Sequence, residues 1–124
     1  MMLLDTNIFI DHLRKHAPAI RFFESIADAD DVIFSAITEA ELIAGKECAD
    51  ARKKEFTLHF LHRWEKIMVT NPIAVLGGDL SRDYGLALPD ALIAATALVY
   101  DAELLTKNIK HFQVVPKLHV RMPY

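Results

Sequence analysis

Apolar positions in this chain fall into two textures. Five short segments are densely apolar: MMLL at 1–4, VIFS at 32–35, KIMV at 66–69, ELLT at 103–106 and LHVR at 118–121. Segments this short, apolar at successive positions, fit strands covered on both faces. Between them, residues 7–15, 17–28, 38–46, 50–64, 73–84 and 89–100 carry apolar residues at helical spacing. Phe22, Phe23, Ile26 and Ala27 share one face of the second helix. Phe56, Phe60, Leu61 and Trp64 form one stripe in the fourth, and the three aromatics read as core or a subunit contact rather than a base-stacking platform. Gly45 and Gly85 fit helix stops, Asn71-Pro72 closes the third strand, and Pro89 fits a helix start. Strands alternating with helices predict an α/β fold with a parallel sheet covered on both sides.

The 124 residues fit one domain, 1–124, large enough to build a core without disulfides. The formal charge of −3 gives no basic field to recruit nucleic acid. That weighs against a passive nucleic-acid binder, but not against a nuclease whose acidic site is offset by metal. Cys48 is the only cysteine, which fits a reducing compartment and a small packed thiol. The amino terminus has no basic region, and Asp5 and Asp11 interrupt its apolar run, so it does not read as a signal peptide. The longest apolar stretch, 91–100, is too short to span a bilayer. These features predict a soluble, cytoplasmic protein with no membrane association.

In parallel sheets, ligands bind beyond the carboxyl ends of the strands. Asp5 follows the first strand and reads on its own as a helix cap. Thr6 or Asn7 could cap instead, leaving Asp5 without a structural role. Thr38 and Glu41 have the spacing of a capping box, and Glu39 falls off that register and reads as solvated. Asp90 opens LPDALIAATALVY, a helix apolar nearly all round. A carboxylate at the mouth of a buried helix is costly unless a cation or donors meet it. Thr106, Lys107 and Asn108 follow the fourth strand. Singly, each acid has an ordinary explanation. Together, Asp5, Glu41 and Asp90 should converge on one sheet edge. Oxygen ligands without Cys or His suit Mg2+ or Mn2+, which makes the cluster a candidate metal site.

LLDTNIFI, SAITEAELIAG, LPDALIAATAL and LLTKNIKHF, in this order and over nearly the whole length, resemble the PIN-domain ribonucleases. The likeness is greatest to the VapC-type toxins of toxin–antitoxin pairs. The resemblance implies a three-layer α/β/α sandwich with a five-stranded parallel sheet. It implies a Mg2+- or Mn2+-dependent endoribonuclease with Asp5, Glu41 and Asp90 as its catalytic, metal-holding acids. Thr6, Asn7 and Thr38 would orient the carboxylates. Many members carry a fourth acid after the fourth strand; Asn108 stands in that neighbourhood and offers a neutral oxygen. The resemblance also implies an RNA substrate, a cognate antitoxin that blocks the acidic pocket, and a homodimer. Lys107, Lys110 and His111 are candidate phosphate contacts, or a solvated charged loop.

Other classes fit less well. Haloacid-dehalogenase-type phosphatases need a second Asp where this chain has Asn7, and receiver domains need an acid after the third strand, which ends Val69-Thr70-Asn71-Pro72. A PIN scaffold that binds RNA or protein without cutting is the alternative to an active nuclease. His12 with His16, and His59 with His62, have zinc-compatible spacing but lack a metalloprotease Glu and read as solvated faces.

Overall fold

The computed structural model describes residues 1–124. Its five strands are β1 (Met2–Leu4), β2 (Val32–Ser35), β3 (Glu65–Ile67), β4 (Glu103–Leu105) and β5 (Val120–Arg121). They form one sheet in the order β3-β2-β1-β4-β5, with every pairing parallel. The helices are α1 (Thr6–Leu13), α2 (Ala17–Ser25), α3 (Ala36–Ile43), α4 (Ala51–Leu61), α5 (Asn71–Tyr84), α6 (Leu88–Val99) and α7 (Ile109–Phe112). A 3-10 turn, Lys46–Ala49, precedes α4. No helix is long and apolar enough to cross a membrane.

Successive strand residues point to opposite faces, and the two cores divide accordingly. Leu3, Ile33 and Leu104 join the core under α5, α6 and α7, with Ile73, Leu80, Ile93 and Phe112. Leu4, Phe34 and Leu105 join the core under α1 to α4, with Phe9, Phe23, Phe60 and Trp64. The expected sandwich, helices on both faces of a parallel sheet, is therefore what forms.

Several boundaries differ from the periodicity. Helix α3 starts at Ala36, because Ser35 caps it by accepting from Ile37 N at 3.0 Å. Asn71-Pro72 opens α5 rather than merely closing a strand, since proline is tolerated in a first turn. The sheet-edge strand β3 ends at Ile67 and leaves Met68 and Val69 exposed. Helix α7 has only four residues, too few to show in the periodicity of the sequence. Helix α4 ends at Leu61 rather than Trp64, and Phe56 points outward at 60% exposure, although Phe60, Leu61 and the following Trp64 are buried. Gly85 stops α5 as expected, at φ +70.

Gly77 and Gly78 are neighbours with opposite surroundings. A Cβ on Gly77 would lie 2.6 Å from Leu92 Cδ2 and 3.3 Å from Leu92 Cα, so this residue sets how closely α5 approaches α6. A Cβ on Gly78 meets nothing within 4 Å. Gly77→Val should destabilise the protein by about 1–3 kcal/mol through overpacking. Gly78→Ala should stabilise it by about 0.5–1 kcal/mol through helix propensity. Urea unfolding of both variants checks the opposite signs.

Candidate active site

Parallel register places Leu4 of β1 beside Leu105 of β4. The next residues, Asp5 and Thr106, therefore leave the sheet side by side. Asp5 N donates to Leu105 O at 2.9 Å, and only 4% of the Asp5 surface is exposed. Its Oδ1 accepts from Thr6 N at 2.8 Å, and its Oδ2 accepts from Thr106 Oγ1 at 2.7 Å. Asp5 thus caps α1 while its carboxylate remains part of the candidate cluster, so the two readings do not compete. With its proton committed to Asp5, the buried Thr106 hydroxyl accepts from Asn7 Nδ2 at 3.3 Å and Asn108 N at 3.0 Å. Asn7 Oδ1 accepts from Lys107 N at 3.4 Å. Asn108 contributes a backbone amide to this network, not a capping side chain.

Glu41 does not reach back to the start of its helix. Ser35 takes the cap, and Glu41 Oε1 instead accepts from Thr6 Oγ1 at 2.7 Å. Thr6 has one hydroxyl proton, so Thr38, whose Oγ1 lies 2.9 Å away, donates to Thr6. The expected capping box is therefore replaced by a link from α1 to α3 that aims Glu41. Thr6 and Thr38 are both buried.

Asp90 lies in the first turn of α6, which lacks a side-chain cap. Burial raises its pKa, and His111, with Nδ1 3.9 Å from Asp90 Oδ2, pulls it back. Burial pushes Asp5 up to about 6, against hydrogen bonds from Thr106 and Thr6 that hold it down. The charges of Asp90 and Glu41 raise it further, so the three acids share one electrostatic environment. Their side chains do not close into a ready cage: no three His, Cys, Asp or Glu side chains are gathered closely enough to hold a metal ion as they stand. The donor set is all carboxylate, hydroxyl and amide oxygen, with Asp5 short of positive charge, and that chemistry fits a hard divalent cation.

Other candidates are redistributed. Lys107 pairs with Asp11 at 3.5 Å and lies 5.0 Å from the Tyr124 ring centroid, so it is not a free phosphate contact. Glu39 is not simply solvated; it meets Lys66 Nζ and His62 Nε2, each at 2.9 Å. His12 stacks on Phe60 at 4.3 Å between ring centroids, and burial lowers its pKa, so it is no solvated face. Thr106 is the site residue that sequence reasoning left without a role. Its signal was present: a hydroxyl ending the strand that flanks the first.

The PIN domain family model matches residues 2–118. Ribonuclease VapC19 from Mycobacterium tuberculosis is 39% identical over 124 residues, covering 95% of this chain and 97% of that protein. Ribonuclease VapC2 from Rickettsia felis is 32% identical over 126 residues, covering 94% and 92%. Among solved structures, a toxin–antitoxin complex from Klebsiella pneumoniae superposes with a TM-score of 0.84 at 31% identity, covering 100% of this chain and 98% of that one. VapBC2 from Rickettsia felis, bound to a DNA fragment from its promoter, gives 0.80 at 29% identity, covering 98% and 97%. The chain belongs to the PIN domain family and is closely related to its VapC ribonucleases.

Proposed function

We propose that this chain, acting as one PIN domain, is a Mg2+- or Mn2+-dependent endoribonuclease and the toxin of a toxin–antitoxin pair. The observation that carries the metal-dependent reading is Asp5: a buried carboxylate at the end of a central strand, facing two further acids, with only neutral donors bonded to it. Asp5, Asp90 and Glu41 would hold the ion. When bound, the ion supplies Lewis-acid polarisation of the phosphodiester and offsets the charge that develops on it. Glu41, aimed by Thr6 and Thr38, orients the attacking water and takes its proton. In-line attack then leaves a 5′-phosphate and a 3′-hydroxyl. Thr106, braced by Asn7 and Asn108, fixes the Asp5 carboxylate.

The solved relatives described as toxin–antitoxin complexes support a protein partner here too. An acidic pocket receives a guanidinium well, so the cognate antitoxin inhibits by inserting an Arg among the three acids. A second copy completes a homodimer, as the family resemblance implies.

Asp5→Asn and Asp90→Asn should each reduce metal-dependent RNA cleavage to background with the fold retained by circular dichroism. Full cleavage in either variant rejects the assignment, and RNA binding without cleavage by the unaltered protein at saturating Mn2+ favours a scaffold. Thr106→Val should cost about 10–100-fold in metal affinity or activity, read by metal titration. A further consequence concerns pH. Asp5 titrates near 6 when folded against 3.8 ordinarily, so the unfolded chain releases its proton first as pH rises. The Asp5 contribution to metal-free stability is therefore fully present below about pH 4 and is lost, by up to about 3 kcal/mol, as pH rises through 6. Asp5→Asn should remove that decline, so that above pH 6 the metal-free variant melts higher than the unaltered protein, with the gap closing at pH 4.

A further inference from the structure

The segment that leaves β4 is fixed to the sheet at one residue and to α1 at the next. Thr106 N donates to Arg121 O of β5 at 3.0 Å. Lys107 N turns away and donates to Asn7 Oδ1 at 3.4 Å, while Lys107 Nζ pairs with Asp11 Oδ2 at 3.5 Å. Asn7 and Asp11 are four residues apart in α1, so they stand one above the other on the same helix face. Lys107 is therefore gripped by two successive turns of one helix, at its backbone and at the end of its side chain. Tyr124, which follows β5, closes the arrangement. Its hydroxyl donates to the same Asp11 oxygen at 2.7 Å, and Lys107 Nζ lies 5.0 Å from its ring centroid, within reach of a cation–π contact. Burial and Asp11 both push the Tyr124 hydroxyl pKa up, so it keeps its proton and stays a donor. Phe22 and His16 flank the ring, at 6.1 and 5.9 Å between centroids, and hold it in place.

What this arrangement fixes is the Thr106 hydroxyl. Thr106 Oγ1 donates to Asp5 Oδ2 and is braced by Asn7 Nδ2 and Asn108 N. Both braces depend on Lys107: Asn7 is tied to its amide, and Asn108 is the next residue in the chain. A displaced Lys107 would move both donors and free the hydroxyl to rotate away from Asp5. We propose that Asp11, Lys107 and Tyr124 are positioning residues, a clamp that acts through Thr106 to hold the Asp5 carboxylate in the arrangement that receives the divalent cation. This assignment rests on the metal-dependent reading above and deepens it by naming residues outside the acidic cluster that set its geometry. A Lys beside a nuclease centre can instead hold an RNA phosphate; the pairing of its ammonium with Asp11, under the Tyr124 ring, favours the clamp.

The test is calorimetric titration with Mn2+, followed by RNA cleavage kinetics. Lys107→Met should weaken Mn2+ binding by about tenfold, and Tyr124→Phe, which keeps the ring and loses the hydroxyl, by about threefold. Lys107→Arg, which keeps the charge, should restore most of the affinity. Because Lys107 acts through Thr106, adding Lys107→Met to Thr106→Val should cost less than about twofold more. In cleavage at saturating Mn2+, kcat should fall in Lys107→Met while KM for RNA and its salt dependence stay unchanged. Tyr124→Phe carries the same test if Lys107→Met fails to fold. Unaltered Mn2+ affinity in the folded variants, or full additivity with Thr106→Val, overturns the proposal and leaves the metal-dependent reading standing. A raised KM with a shallower salt dependence, at unchanged Mn2+ affinity, makes Lys107 a phosphate contact and also overturns it. If the unaltered protein binds no Mn2+, both readings fall together.

Discussion

The carboxyl end of the sheet is organised by the burial of one carboxylate. Asp5 leaves β1 between apolar layers, with Leu4 and Leu105 fully buried behind it. A carboxylate there loses its hydration, and two neutral donors, Thr6 N and Thr106 Oγ1, replace only part of it. Asp90 and Glu41 make the charged form costlier still. A fold selected for stability alone would place an apolar or neutral residue at this position. Strain of this kind is what a bound cation relieves, which is why this buried carboxylate carries the functional assignment.

Three threonine hydroxyls turn this constraint into geometry. Thr106 fixes one Asp5 oxygen across the sheet, from a position 101 residues away in sequence. Thr6 reaches the opposite way to Glu41, and Thr38 supports Thr6. A carboxylate only accepts and each hydroxyl has a single proton, so the direction of every bond is set from its carboxylate end. The chain of bonds joins β4, α1 and α3, and the parallel register of β1 with β4 makes it possible. Loss of one hydroxyl would leave buried oxygen atoms without donors, which costs more than the bond itself contributes.

Charge is local in this molecule. A net charge of −3 provides no general attraction for a polyanion.

The alternating run of short apolar segments and amphipathic stretches was enough to determine the α/β class, the parallel sheet and most helices, because burial on both faces leaves few polar positions in a strand. The same pattern marked Asp5, Glu41 and Asp90, since a carboxylate inside an apolar context stands out in one dimension. Periodicity could not tell which side of α4 Phe56 would face; an exposed aromatic and a core aromatic share the same spacing. Nor could it choose between Ser35 and Thr38 as the cap of α3, and so it left open a capping role for Glu41 that the structure gives to Ser35. Thr106 acquired its role only when β4 was laid beside β1. Strand order is a property of the whole packed sheet, and hydrogen bonds between residues a hundred positions apart exist only after that order is fixed.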